Sequence, residues 1–98
     1  MKQQTYISGK ITGMPETAYE LFGIAEIELH NIGRVGINPM KEVPLNESFL
    51  WSDYMLKDIE ILFNCDAIYM LRNWGQSKGS RIERAIAIEL GLEIIYQK

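Results

Sequence analysis

The sequence holds one cysteine and one histidine among its 98 residues, and their scarcity excludes two common devices. A single cysteine, Cys65, leaves no intramolecular disulfide. It opens an apolar run, so we expect a buried, inert thiol rather than a nucleophile. The single histidine, His30, falls late in a predicted helix, with no cysteine or second histidine nearby. A zinc-type metal site is therefore not expected, and we expect no cofactor.

Excess positive charge and long apolar runs are also missing. The chain has 10 Lys and Arg against 13 Asp and Glu and a net charge of −3, so binding to a nucleic-acid polymer is not expected. No apolar run approaches the roughly twenty residues that span a bilayer. Residues 1–4 lead directly into a strand without the pattern of a signal peptide. These features predict a cytoplasmic protein with no membrane partner, built as one domain over residues 1–98.

Strand and helix patterns alternate along the chain. Strands are predicted at 5–8, 35–38, 67–71 and 93–96, helices at 17–31, 48–64 and 80–90, and a loop with two prolines at 39–47. This order with short links predicts an α/β fold of three layers, Rossmann- or flavodoxin-like, around a four-stranded parallel sheet in the order 2-1-3-4. The loops that follow the first and third strands should then meet at one edge, where ligands bind in such folds.

The first helix is predicted to bury one apolar face. Its members are Tyr19, Phe22, Ile24, Ala25, Ile27, Leu29 and Ile32. The last helix is predicted to carry Ile82, Ile86 and Leu90 on one face, with Glu83 and Ala87 beside it. Gly33 and Gly91 follow the ends of these two helices, where glycine commonly terminates a helix.

The middle helix contains a carboxylate in an apolar stripe. Trp51, Met55 and Leu62 fall within one arc at about 100° per residue, and a core position is favoured for Trp51. Asp58 lies in the same stripe, four residues before Leu62. A carboxylate there is costly unless it is paired, hydrogen-bonded or bordering a cavity. Two interpretations stay open: an Asp satisfied by a backbone amide or an arginine, or a carboxyl group with a tuned pKa at a pocket's edge.

Both loops at the predicted ligand edge carry glycines. Residues 9–15 contain two glycines and a proline, and residues 72–79 contain Gly75 and Gly79 together with Trp74, an aromatic in a polar loop. A strand, a glycine-bearing loop and a helix are typical of a phosphate or nucleotide site. The first loop is neither a Walker motif nor G-x-G-x-x-G, so a plain strand-to-helix turn is about equally favoured for it.

Glu83 has two interpretations. Ser80-Arg-Ile-Glu83 fits the capping-box pattern S-x-x-E, which would make Glu83 a helix cap. Alternatively, Glu83 and Asp58 share a pocket and perform glycosidic-bond chemistry, in which one carboxylate attacks the anomeric carbon and the other protonates the leaving group. A separation of about 5 Å would imply retention through a covalent intermediate. We expect the helix N-terminus to keep Glu83 ionised and apolar surroundings to raise the pKa of Asp58.

The chain resembles the short phage and bacterial group DUF4406 of the nucleoside 2-deoxyribosyltransferase-like superfamily. The matching residues are Tyr6-Ile-Ser-Gly9-Lys-Ile-Thr-Gly13, Asp58, Cys65-Asp66-Ala-Ile-Tyr, Trp74-Gly-Gln-Ser77-Lys-Gly79, Glu83, Ala87 and Gly91. They cover nearly the whole chain, and the spacing from Ser77 through Gly79 to Glu83 is the most specific part. Arg84 departs from the pattern, because longer enzymes of the superfamily often carry glycine there.

The resemblance implies cleavage of N-glycosidic bonds in deoxynucleosides or their 5′-monophosphates, with transferase or hydrolase activity. It implies that Glu83 is the nucleophile, Asp58 the acid/base and Asp66 a structural residue at a strand start. The residues expected to bind substrate are Tyr6, Gly9, Ile11 and Gly13 around the base and sugar, Ser77 and Gly79 at the phosphate or 5′ end, and Trp74 as an aromatic wall. The partners expected are a small nucleoside or nucleotide and further copies of the chain in a homo-oligomer.

Two other functions stay open from the sequence. One is a nucleotide-binding module on the same fold without turnover, and the other is a phage or bacterial interaction protein with a vestigial pocket. The first predicts binding without product, and the second predicts neither.

Overall fold

Four parallel strands form one sheet in the spatial order β2-β1-β3-β4, as predicted. The computed structural model describes residues 4–98, so the expectation that no signal peptide begins at Met1 lies outside the described residues. The strands are β1 Gln4–Ser8, β2 Val35–Ile37, β3 Ala67–Met70 and β4 Glu93–Tyr96. β1 and β3 form the centre and pair in register from Thr5 opposite Ala67 to Ser8 opposite Met70. The fold is α/β with a parallel sheet and flanking helices.

The helices are α1 Pro15–Asn31, α2 Pro39–Glu42, α3 Trp51–Leu62 and α4 Lys78–Glu89, with one turn of 3₁₀ helix at Trp74–Gln76. α1 and α4 end as predicted, since Gly33 and Gly91 adopt positive φ angles of 80° and 73°. The prediction of a loop at 39–47 is wrong for its first residues, which form the short helix α2. Asn38 caps this helix by accepting a hydrogen bond from the Met40 N–H at 2.9 Å.

All three predicted helix starts differ from the prediction: α1 begins at Pro15 rather than at residue 17, and other residues cap the starts of α3 and α4. α3 begins at Trp51 rather than at residue 48, since the Asp53 carboxylate accepts a hydrogen bond from the Leu50 N–H at 2.8 Å. α4 begins at Lys78 rather than at Ser80, since the Ser77 Oγ accepts a hydrogen bond from the Ser80 N–H at 3.1 Å. Ser77 is therefore the N-cap of α4.

Apolar side chains pack on both faces of the sheet. One cluster places α1 against β1 and β3 through Ile7, Ala18, Phe22, Ala25, Leu29, Tyr69 and Leu71. The other places α3 and α4 on the opposite face through Tyr6, Leu62, Cys65, Ile68, Met70 and Ala87. Alternate residues of β1 thus serve opposite layers, as the pleat requires. The thiol of Cys65 is buried as predicted, and burial raises its pKa to about 11.

The predicted apolar faces are partly wrong. In α1, the side chains of Phe22, Ala25 and Leu29 are buried, but Tyr19, Ile24, Ile27 and Ile32 are exposed. The helix instead turns its Ala18–Phe22–Ala25–Leu29 arc to the sheet, because two alanines allow close packing. In α4, the sheet-facing residues are Ser80, Glu83 and Ala87, and Leu90 is exposed. Trp51, predicted in the core, is 43% exposed because α3 begins at that residue.

Within residues 4–98, no helix has the length and apolarity needed to cross a membrane.

Candidate functional site

A cavity of about 380 Å³ lies at the carboxyl end of β1, beneath α3 and the start of α4. Its deepest walls are polar, formed by Tyr6, Ser8 and Glu83, which are each at most 5% exposed. Its outer walls are largely apolar and reach the surface at Leu45 and Trp51. A small apolar pocket with a few convergent polar groups is the usual form of a small-molecule site.

Glu83 points from α4 into this cavity and is held by two hydroxyl groups of β1. The Tyr6 hydroxyl donates a hydrogen bond to Oε2 at 2.8 Å, and the Ser8 hydroxyl donates one to Oε1 at 2.7 Å. Both carboxylate oxygens are therefore fixed by neighbours on the central strand. The capping-box interpretation is wrong, because the Glu83 carboxylate faces the sheet and Ser77 caps the helix.

Asp58 lines the same cavity from α3, so the structure brings the two predicted carboxyls together. The Tyr6 hydroxyl lies near Asp58 and lowers the pKa of that carboxyl, but it donates its one proton to Glu83. The interpretation of Asp58 as a carboxyl at a pocket's edge agrees with this position. No salt bridge to Asp58 is present among the described residues.

Both carboxyl pKa values are raised to about 7. For Asp58 the cause is burial, as predicted, partly offset by the Tyr6 hydroxyl. For Glu83 the cause is again burial, opposed by the hydrogen bonds from Ser8 and Tyr6 and supported by the charge of Asp58. The expectation that the helix N-terminus keeps Glu83 ionised is wrong, since burial raises the pKa of Glu83 and the effects that oppose this rise come from the Ser8 and Tyr6 hydroxyls. Two coupled carboxyls with pKa values near neutrality favour a state that holds one proton between them.

The two glycine-bearing loops meet at this edge of the sheet, as predicted. The Lys10 N–H donates a hydrogen bond to the Asn73 Oδ1 at 3.0 Å and ties one loop to the other. Gly9 lies so close to Leu71 that an added Cβ would approach its Cδ1 to 2.6 Å. Glycine is thus required at the point where the first loop crosses the end of β3.

The start of α4 forms one wall of the cavity. Ser77, Gly79 and Ser80 all line it, and a Cβ on Gly79 would come within 3.0 Å of the Met55 Sδ. The Ser80 Oγ is buried, and it has no hydrogen-bond partner within the described chain. A buried hydroxyl without a partner beside a helix N-terminus is available to a ligand.

Most of the predicted site residues line the cavity. They are Tyr6, Gly9, Ile11, Asp58, Ser77, Gly79 and Glu83.

Two predicted residues do not line it. Gly13 is exposed in the turn before α1, where its φ angle is 83°. The Trp74 ring lies against Tyr96, with ring centroids 6.1 Å apart, and against the Arg84 guanidinium at 5.0 Å. Asp66 lies at the opposite end of the sheet, where its carboxylate accepts a hydrogen bond from the Gln4 N–H at 3.1 Å, which agrees with a structural role.

Several cavity residues were not predicted. Ser8 could have been found, because it lies two residues after Tyr6 and so faces the same side of the strand. Ser80 was interpreted as a cap, and Trp51 was assigned to the core. Trp51 instead stands at the cavity's rim, with the Lys78 Nζ 4.6 Å from its ring centroid. No sequence signal marks this contact, since it depends on how α3 and α4 pack.

Within residues 4–98, no group of three or more His, Cys, Asp or Glu side chains could hold a metal ion. The cavity therefore offers two carboxyls, hydroxyls and backbone amides as its chemical groups.

Fold and cavity define an α/β protein with one buried and one half-buried carboxyl at the carboxyl edge of a parallel sheet. A family model for a domain of unknown function, DUF4406, matches residues 3–96. The chain belongs to the DUF4406 family, as the sequence resemblance indicated.

Solved structures match the chain, but no curated protein does. One similar structure is a 2-desoxiribosyltransferase from Leishmania mexicana, with a TM-score of 0.71 and 18% sequence identity. The match covers 96% of this chain and 63% of that one, so this chain spans less than two thirds of its length. At this identity the likeness concerns the fold.

Proposed function

We propose that this protein cleaves the N-glycosidic bond of a deoxynucleoside or its 5′-monophosphate, as a hydrolase or a deoxyribosyltransferase. The observation that carries the proposal is the Glu83 carboxylate, fixed by two hydroxyl donors beside Asp58 in a cavity of small-molecule size. The fold shared with a 2-desoxiribosyltransferase supports the same chemistry.

The carboxyl pair is suited to a double displacement. An oxygen of ionised Glu83 attacks C1′ of the sugar while the bond to the base breaks, and the proton of Asp58 goes to the departing base. The product of this step is a deoxyribosyl ester on Glu83. In the second step, water or a second nucleobase attacks C1′ and releases Glu83. The ionised Asp58 takes the proton from this attacking molecule.

The single-proton state gives each carboxyl its role. Glu83 accepts hydrogen bonds from two hydroxyls, which stabilise its negative charge, whereas the Tyr6 hydroxyl near Asp58 has already donated its proton to Glu83. In the state with one proton, the negative charge is therefore more stable on Glu83, and the proton is more stable on Asp58. This is the distribution that a nucleophile and a general acid need near neutral pH.

The start of α4 is proposed to hold the 5′ end of the substrate. Ser77, Gly79 and the unpartnered Ser80 hydroxyl line the cavity at the positive end of the helix dipole. Gly9, Ile11 and the apolar outer wall would contact the sugar and base. Gly13 and Trp74 have no part in this proposal.

The direct test is base release from a panel of deoxynucleosides and their monophosphates, followed by chromatography. We expect release by the wild type and none by Glu83→Gln. Glu89→Gln is the matched control, because Glu89 is an exposed residue of the same helix. Equal release by wild type and Glu83→Gln, or none from any substrate, would refute the activity.

The second candidate is a nucleotide-binding module without turnover, favoured by the unpartnered Ser80 hydroxyl at the helix start. Calorimetry with deoxynucleoside monophosphates separates the two. If the protein is a binding module, we expect saturable nucleotide binding that persists in Glu83→Gln, and no product. If the pocket is vestigial, we expect neither binding nor product.

The working form is proposed to be a homo-oligomer, as the resemblance to the superfamily implies, and its proposed location is the cytoplasm, as the sequence features predicted. Sedimentation that detects only monomers at micromolar concentration would argue against it.

A further inference from the structure

The first turn of α4 presents hydrogen-bond donors that its own chain does not use. The Ser80 N–H donates to the Ser77 Oγ at 3.1 Å, and the Arg81 N–H donates to the Ser77 carbonyl oxygen at 3.0 Å. The two preceding N–H groups, those of Lys78 and Gly79, have no acceptor within the described chain, since the first residues of a helix lack a carbonyl partner. Ser77 and Gly79 line the cavity, so these donors lie at its wall.

Ser80 adds a buried donor to the same turn. The residue is 1% exposed and lines the cavity, and its Oγ has no hydrogen-bond partner among the described residues. The Ser77 hydroxyl keeps its own hydrogen for a ligand, because its oxygen serves as the acceptor in the cap of α4. This end of the cavity therefore offers two hydroxyl groups and two backbone N–H groups to an acceptor-rich ligand.

Lys78 places a positive charge at the edge of the cavity. Its Nζ lies 4.6 Å from the centroid of the Trp51 ring, which forms part of the rim. Within residues 4–98 the cavity wall includes no lysine or arginine, whereas it includes the carboxyls of Asp58 and Glu83. An anion in this cavity requires a compensating positive charge, which Lys78 and the N-terminal end of the helix dipole supply.

The number of donors distinguishes a phosphate from a hydroxyl group. The 5′-hydroxyl of a nucleoside accepts at most about two hydrogen bonds, so it would leave donors of this turn without a partner. A phosphate monoester has three terminal oxygens and a charge of about −1.5 to −2 at neutral pH. It can therefore accept from the hydroxyl and N–H groups together and also pair with an ammonium group.

We propose that the first turn of α4 selects a phosphate monoester, so that the substrate is a deoxynucleoside 5′-monophosphate rather than an unphosphorylated deoxynucleoside. Lys78 and Ser80 determine this specificity, and the family resemblance assigns a role to neither. The inference rests on the proposed function for the identity of the sugar and the base. The preference for phosphate is nevertheless a property of binding, so it can be measured without turnover.

Calorimetry on the full chain with Glu83→Gln, which keeps the substrate intact, tests the preference. Each deoxynucleoside is compared with its own 5′-monophosphate and with inorganic phosphate. We expect the monophosphate to bind at least about tenfold more tightly than the nucleoside, because several charge-assisted hydrogen bonds are gained. Inorganic phosphate should bind more weakly than the monophosphate, since it makes no contact with the rest of the cavity.

Two further substitutions in the same background identify the residues responsible. Lys78→Met and Ser80→Ala should each weaken binding of the monophosphate at least about fivefold and change binding of the nucleoside by less than about twofold. Lys57→Met is the matched control, because the Lys57 Nζ also lies over an aromatic ring, that of Phe49 at 5.9 Å, which does not line the cavity. Circular dichroism checks that all variants fold alike.

Equal affinity for nucleoside and monophosphate, or no saturable binding of the monophosphate, would overturn the inference. So would inorganic phosphate that binds as tightly as the monophosphate, a Lys57→Met that weakens binding as much as Lys78→Met, or an unchanged affinity in Ser80→Ala. Base release by the wild type separates this inference from the proposed function. Equal release from nucleosides and monophosphates would refute the phosphate preference alone, whereas selective binding without any release would refute the activity alone.

Discussion

Replacing Asp58 with asparagine is expected to stabilise the protein at alkaline pH. Burial raises the pKa of Asp58 from its ordinary value of 3.8 to about 7. Between these values the folded state binds more protons than the unfolded state, so the free energy of unfolding falls as pH rises. The cost of ionising Asp58 is absent below about pH 4 and complete above about pH 7. Asparagine has a similar shape and carries no such cost.

The pKa values set the size of the effect. Each pKa unit is worth about 1.4 kcal/mol, so the full rise corresponds to an upper limit of about 4 kcal/mol. Asp58 is only half-buried and is coupled to Glu83, and water reaching the carboxyl reduces this figure. Between pH 5 and pH 8 we expect Asp58→Asn to gain about 2 kcal/mol relative to wild type.

Urea unfolding at pH 5 and pH 8 measures this difference. The control is Asp53→Asn on the same helix, where the carboxylate caps the Leu50 N–H at the surface. An asparagine oxygen can accept the same hydrogen bond, so only the charge at the helix start is lost, which should cost less than about 1 kcal/mol at both pH values. An equal change in the stability of Asp58→Asn at both pH values, or a loss of its stability relative to wild type as pH rises, would refute a raised pKa for Asp58.

Three further predictions concern the walls of the cavity. Tyr6→Phe removes a donor from the buried Glu83 carboxylate, so unfolding experiments should detect a loss of about 1–2 kcal/mol at pH 8 and a smaller loss at pH 5. Ser77→Ala should cost about 1 kcal/mol by removing the cap of α4, whereas Ser80→Ala should be neutral or stabilising because its hydroxyl is unpartnered. Gly9→Ala should cost about 1–3 kcal/mol by thermal unfolding, since its Cβ would lie 2.6 Å from a buried side chain; a neutral result would contradict that packing.

The strand order was predictable because the chain alternates strands with helices through short links. Right-handed crossovers then leave few arrangements, and the Lys10–Asn73 hydrogen bond confirms that the two loops meet. The pairing of Asp58 with Glu83 was also predictable. A carboxylate in an apolar stripe needs a polar environment, and the carboxyl edge of the sheet supplies one.

Other features depend on tertiary packing that local sequence does not encode. The S-x-x-E pattern favours Ser80 as a cap, yet Ser77 can cap the same helix from an earlier position, and packing of Gly79 against Met55 favours that start. Trp51 shares the apolar period of its helix, but it is the first residue of α3 and is 43% exposed. The periodicity of apolar residues identifies which face of a helix is apolar. It does not show how far along the helix the core covers that face.

The most direct test of the central claim is the position of a bound nucleotide. A crystal structure of the Glu83→Gln variant with a deoxynucleoside monophosphate keeps the substrate intact. We expect C1′ within about 3.5 Å of the side-chain amide that replaces the Glu83 carboxylate, Asp58 facing the base, and the 5′ phosphate at Ser77 and Gly79. A nucleotide bound outside the cavity, or with its base against the substituted side chain and C1′ beyond reach, would contradict it.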